Sequence, residues 1–146
     1  MTQLDQDFLE VYNCFKLMLY NKSAKGSDSD DPNALTLQEV ICMEIILALG
    51  RPTVSQFSAC AKLSGSNSAY RIRKLIEKGY VVKIQNEDDK REFYLEATDR
   101  YAEEYGLIPD VIGRISKRVG EEFPEEDVAV FCKMMRFVAD EFTDAE

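Results

Sequence analysis

The sequence predicts a mainly α-helical chain with one small β-hairpin, and three observations carry that prediction. Apolar residues recur at helical three-four spacing over most of the chain, the period changes to that of strands over residues 80–96, and capping residues mark the joints between segments. A length of 146 residues with 45% apolar content suits one domain, 1–146, with a single core that needs no covalent staples.

Residues 4–20 place Leu4, Phe8, Val11, Phe15, Met18 and Leu19 on one face of an amphipathic helix. Residues 21–33 are polar, contain Gly26 and Pro32 and lack periodicity. A mobile loop is expected there, with Asp28, Asp30 and Asp31 repelling phosphates. Thr36 suits the N-cap of a buried helix through Leu49, closed by Gly50 ahead of Pro52. A second cap, Thr53, opens a short helix with Val54, Phe57, Cys60, Ala61 and Leu63 turned inward. Ser64-Gly65-Ser66 then supplies a tight turn and a fresh cap for a helix reaching Glu77 or Lys78, stopped by Gly79. Two short helices joined in this way form a helix-turn-helix.

At about 100° per residue the last of these helices sorts into two sides. Ser68, Ile72, Leu75 and Ile76 form the side that must pack, and Ser66, Tyr70, Arg73 and Glu77 the side left over, flanked by Asn67 and Lys74. Beyond Gly79, residues 80–85 and 91–96 are rich in β-branched and aromatic side chains and flank the polar turn Asn86-Glu87-Asp88-Asp89-Lys90. A helix-turn-helix followed by a hairpin is the winged helix arrangement, here over 36–97.

Thr98-Asp99 is expected to cap a further helix with Tyr101, Tyr105 and Ile108 on one face, kinked or interrupted by Pro109 and continued by Val111, Ile112, Ile115 and Val119. Pro124 suits a first helical position, with Glu125, Glu126 and Asp127 at the positive end of the helix dipole. The last helix carries a seam of Val128, Phe131, Met135, Val138 and Phe142 that wants a partner helix. Segments 4–20 and 98–142 are therefore expected to be dimerisation helices flanking the winged helix.

Charge is segregated along the chain. Residues 51–91 hold nine Lys/Arg against four acids, a net +5, whereas the remainder carries nine bases and twenty-three acids, a net −14. One compact stretch of an acidic protein thus has the sign of a nucleic-acid contact surface. The cysteines Cys14, Cys42, Cys60 and Cys132 form no C-x-x-C pair and the chain has no histidine, which argues against a zinc site, a disulfide framework and Ser/His or Cys/His chemistry. No enzyme, metal or cofactor is expected. No apolar run approaches the roughly 20 residues of a membrane span, and Met1-Thr2-Gln3-Leu4-Asp5 lacks the features of a signal peptide, so a cytoplasmic protein without a membrane partner is expected.

Thr36-Leu37-Gln38, Thr53-Val54-Ser55-Gln56-Phe57, the ungapped run from Ser64 to Tyr80, and Asp89-Lys90-Arg91 follow in order the second and third helices, the recognition helix and the D-x-R wing of the MarR family. The chain resembles those bacterial multiple-antibiotic-resistance regulators over almost its whole length. The resemblance implies a homodimeric regulator of transcription, a repressor, bound to a pseudo-palindromic operator in double-stranded DNA and released by a small aromatic or carboxylate effector or by oxidation. The alternative is a winged helix used as a protein–protein interaction module.

In such a docking the N-terminal half of the recognition helix enters the groove, so Ser66, Asn67, Ala69, Tyr70 and Arg73 are the base-edge candidates. Asn favours adenine, Arg favours guanine, and an Ala methyl suits thymine. Lys62, Arg71, Lys74, Lys78 and Lys83 are phosphate candidates. Position 71 is usually apolar in the family, so Arg71 is a departure. Arg91 is the minor-groove candidate beside Lys90, with Asp89 expected to hold it, while Glu87 and Asp88 weaken the wing tip. Cys14 lies in Cys14-Phe15-Lys16-Leu17-Met18-Leu19-Tyr20, which resembles the C-F-x-L-Y stretch of peroxide-sensing members with the tyrosine displaced to Tyr20. It is a redox-sensor candidate whose plainer reading is a structural cysteine in a dimer helix. Phe8, Tyr12, Phe15, Tyr101 and Tyr105 are either a ligand cleft or plain core.

Overall fold

The computed structural model describes residues 1–27 and 30–143, and the chain divides into two compact units, Met1–Gly106 and Leu107–Glu146. The first unit holds α1 (Gln3–Ser27), α2 (Leu37–Ala48), α3 (Val54–Ala61), α4 (Gly65–Glu77), the strands β1 (Val81–Gln85) and β2 (Phe93–Ala97), and α5 (Asp99–Tyr105). The second holds α6 (Leu107–Glu122) and α7 (Glu125–Thr143).

Helix α1 runs past the expected end at Tyr20, so most of the loop expected over 21–33 is helix instead. The cause is a buried cation: the Lys22 ammonium sits 2.9 Å from Glu44 Oε1 and 4.9 Å from the Tyr101 ring centroid. Ser23 Oγ donates to the Tyr20 carbonyl, which satisfies a second polar group in that turn. Asp31 Oδ1 accepts the Asn33 N–H in the remaining loop, and Asp28 lies outside the described residues.

Capping boxes open the next two helices. Thr36 Oγ1 accepts the Glu39 N–H and Glu39 Oε2 accepts the Thr36 N–H at 2.8 Å, while Thr53 and Gln56 repeat the arrangement for α3. The core beneath them is built from Val40, Met43 and Ile46 of α2, Phe57 of α3, Ile72 and Leu75 of α4, and Tyr80, Val81 and Leu95 of the hairpin. Two residues expected inside are not. Cys60 is exposed because Phe57 is the residue α3 buries, with Ala61 and Leu63 covering its rim. Ile76 is 38% exposed because it lies about 80° around α4 from Ser68, at the edge of the packed stripe.

The strands pair antiparallel from Val81 opposite Ala97 to Gln85 opposite Phe93. A bridge between Thr53 and Tyr94, with the Leu95 N–H donating to the Pro52 carbonyl at 2.8 Å, ties the start of α3 to the hairpin edge. β2 begins two residues later than expected because the N–H groups of Arg91 and Glu92 both donate to Asp89 within the turn.

Tyr101 and Tyr105 stack with centroids 5.3 Å apart, and Tyr80 meets both edge-on. Each phenol has a partner: Tyr80 donates to Glu104, Tyr101 donates to Glu44, and Tyr105 accepts the Leu35 N–H. Burial first, then the carboxylate each phenol faces, pushes the Tyr80 and Tyr101 hydroxyls well above the ordinary phenol range. Of the two readings of the five aromatics, plain core holds for Tyr101 and Tyr105, whereas Phe8, Tyr12 and Phe15 are exposed on α1.

Thr98 occupies the N-cap of α5, yet its hydroxyl donates to the Gly79 carbonyl instead of capping. The helical break falls at Gly106 and not at Pro109. A Cβ at Gly106 would collide with the Ala102 carbonyl oxygen that its own N–H reaches at 2.9 Å. Pro109 lies in the first turn of α6, where its missing N–H has no helical partner to lose.

In the second unit, the Pro124 carbonyl accepts the Asp127 and Val128 N–H groups, so Pro124 is the N-cap of α7, one position before its expected place. Val119 and Phe123 of α6 and its turn meet Asp127, Val128 and Phe131 around a groove of about 240 Å³. No described residue of α7 is buried, and Phe131, Met135 and Phe142 of its seam are exposed. Among the described residues no helix is long and apolar enough to cross a membrane.

Candidate nucleic-acid interface

The helix-turn-helix is set by a sharp local turn. At Lys62 the backbone is left-handed, with φ of 52°, and the Leu63 N–H closes back on the Ser58 carbonyl at 3.1 Å. Ser64 then caps α4 by accepting the Asn67 N–H. The axis of α4 is fixed by burial of Ser68, Ile72 and Leu75, which leaves Ser66, Asn67, Ala69, Tyr70 and Arg73 exposed along the opposite side.

That exposed side carries an internal cluster. Arg73 and Lys74 lie 5.6 and 5.8 Å from the Tyr70 ring centroid, and Glu77 pairs with both, at 3.7 Å from Arg73 Nε and 3.3 Å from Lys74 Nζ. Sequence reasoning missed this role of Glu77, although its i,i+4 and i,i+3 spacing to the two cations was a usable signal. Arg71 is half-buried on the flank, near enough to Cys42 that its charge offsets part of the upward push that burial exerts on that thiol.

The wing tip is braced through backbone groups. Asp89 Oδ1 accepts the Arg91 N–H at 3.0 Å, so the acid shapes the turn and does not grip the guanidinium as the D-x-R resemblance implied. Asn86 Oδ1 accepts the Asp88 N–H, Gln85 Nε2 donates to the Lys90 carbonyl, and Asn86 Nδ2 bridges Glu92 and Tyr94. Among the described residues no ion pair engages Lys90 or Arg91, and both are exposed beside Glu87 and Asp88. At the base of the wing, Arg51 lies over the Tyr94 ring and 3.2 Å from Glu96, and Lys83 lies over Phe93.

One expected phosphate contact is corrected. Lys78 turns inward, donating to Glu39 Oε2 at 2.6 Å and to the Ala34 carbonyl at 2.9 Å, so its charge is spent within the fold. Lys62 and Lys83 remain exposed. Cys14 is exposed on α1.

Residues 35–100 match the family model described as a winged helix DNA-binding domain. The HTH-type transcriptional regulator BilQ of Clostridioides difficile is 32% identical over 75 residues, covering 51% of this chain, and the match spans about half the length of that curated relative (51%). Among solved structures, Streptococcus pneumoniae FabT in complex with DNA superposes with a TM-score of 0.62 at 18% identity, over 99% of this chain and 100% of that one. A point mutant of MepR from a multidrug-resistant clinical isolate of S. aureus gives 0.66 at 11% identity over 99% of both chains. A MarR protein from Peptoclostridium difficile gives 0.55 at 23% identity, over 99% of this chain and 92% of that one.

Proposed function

We propose that this winged helix chain is a repressor of the MarR type that binds a pseudo-palindromic operator in double-stranded DNA as a homodimer, a reading supported by the family model matched over residues 35–100 and by the similarity to a transcriptional regulator over half of the chain. The observation that carries the reading is the split of α4: a packed side of Ser68, Ile72 and Leu75, and an exposed side of hydroxyl, amide, aromatic and basic groups. A helix so presented, after a tight turn and beside a hairpin with exposed Lys90 and Arg91, has the form of a major-groove reader with a minor-groove arm. The net +5 of residues 51–91 favours approach to phosphate in an otherwise acidic chain.

The roles divide by chemistry. Ser66, Asn67, Ala69, Tyr70 and Arg73 read base edges, Arg71 and Lys74 meet phosphates, and Asp89 holds the wing turn from which Lys90 and Arg91 reach the minor groove. Two copies present recognition helices about 34 Å apart, one helical turn of DNA. Segments 4–20 and 98–142 supply the dimer contacts, and 36–97 is the DNA-binding lobe. Release belongs to the same reading, through a small aromatic or carboxylate effector or through oxidation of the exposed Cys14. The site of action is the cytoplasm.

Selection of bound duplexes from a random pool tests the reading, and an enriched inverted repeat is expected. Arg73→Ala should then lose about 1–3 kcal/mol of discrimination at one base pair, while Lys74→Ala weakens every sequence and flattens the salt dependence. A pool that yields no preferred sequence refutes the assignment. Mass spectrometry after mild peroxide, paired with DNA binding by Cys14→Ser, tests the oxidative route, and unchanged behaviour of the variant removes it.

A further inference from the structure

Glu77 is an acid on the side of α4 that faces outward, where approach to a polyanion favours cations. Its two oxygens are divided between two bases, Oε1 toward Arg73 Nε and Oε2 toward Lys74 Nζ, and both bases also lie against the Tyr70 ring. The side chains are open to solvent, 64% for Arg73 and 53% for Glu77, and exposed ion pairs of this kind add little to folding stability. The pairing therefore matters most when DNA approaches, because water then leaves and each charge is felt more strongly.

The carboxylate 3.7 Å from Nε biases the Arg73 side chain by its charge, without a hydrogen bond, and leaves the terminal Nη1/Nη2 edge for a bidentate partner such as guanine O6 and N7. Lys74 is in a different position: a phosphate can take its ammonium only in competition with Glu77, and the carboxylate itself repels that phosphate. Resting on the reading of α4 as a DNA-contacting helix, we propose that Glu77 is a positioning and specificity-determining residue of this face. It pre-aims Arg73 at a guanine and opposes phosphate contacts made without a matching base. Binding to the correct sequence regains through the guanine what the carboxylate costs, and binding to any other sequence does not.

The test uses the full chain with Glu77→Gln, which keeps the shape and removes the charge. Affinity for a random duplex should tighten roughly three- to tenfold and its log–log salt slope should steepen by about 0.9, the signature of one more effective cation. Affinity for the selected sequence should tighten less, so the ratio between the two falls. In an Arg73→Ala background the same change should still tighten random binding through Lys74 but leave the ratio unmoved. A Glu77→Gln chain that keeps the wild-type ratio, whatever its thermal stability, overturns the inference while the DNA-binding reading stands. A wild-type chain without any preferred sequence overturns both.

Discussion

Lys62 shows how a single residue separates the demands of fold and function. A left-handed backbone costs a non-glycine residue about 1–2 kcal/mol, and Lys62 adopts it, at φ of 52°, in the turn before α4. Lys62→Gly should relieve that cost, offset in part by the freedom glycine has in the unfolded chain, for a net gain of about 0.5 kcal/mol in chemical denaturation. The same change removes an exposed cation beside the recognition helix, so random and selected DNA should both bind more weakly and by the same factor. A loss of stability would show that the turn is held by the lysine side chain. Arg91 illustrates the limit of motif reading at this scale: the D-x-R pattern is present, yet its acid bonds the backbone N–H.

Between elements, the ties that matter join residues remote in sequence. Lys78 at the C-terminal end of α4 and Glu39 in the first turn of α2 are 39 positions apart and 2.6 Å from each other, and Glu39 also closes its own capping box. With its side chain only 7% exposed, Glu39 cannot be left unpaired cheaply. Lys78→Ala is expected to cost about 3 kcal/mol in denaturation while leaving the salt slope of DNA binding unchanged. A shallower slope would return Lys78 to the phosphate contacts. Glu44 joins elements in the same way, serving Lys22 of α1 and Tyr101 of α5 from α2.

At the scale of the whole molecule, the described residues leave much apolar surface uncovered. Phe8 and Val11 on α1 and Phe131, Phe137 and Phe142 on α7 are between 45% and 76% exposed, a set of large side chains that soluble monomers seldom leave in water. Self-association through these faces is the expected remedy, and under the proposed function it also brings two recognition helices to one duplex. Phe8→Glu and Phe131→Glu, made at side chains 45% and 51% exposed in the single chain, should each shift sedimentation from dimer toward monomer and weaken operator binding at least roughly tenfold. A retained dimer mass would assign those faces to another partner.

The sequence by itself determined the order of elements, the caps at Thr36, Thr53 and Ser64, and, Ile76 apart, the sorting of α4 into packed and exposed sides. These are local signals, carried by residues within one or two helical turns, so neighbouring positions suffice to state them. Only the tertiary structure decided that α1 continues to Ser27, that Lys78 is structural, and that Tyr101 and Tyr105 are core. A polar residue's fate depends on whether a partner is buried with it, and the partners of Lys22 and Lys78 stand 22 and 39 positions away. Periodicity measures which face a residue occupies. It carries no information about which distant charge that face will meet.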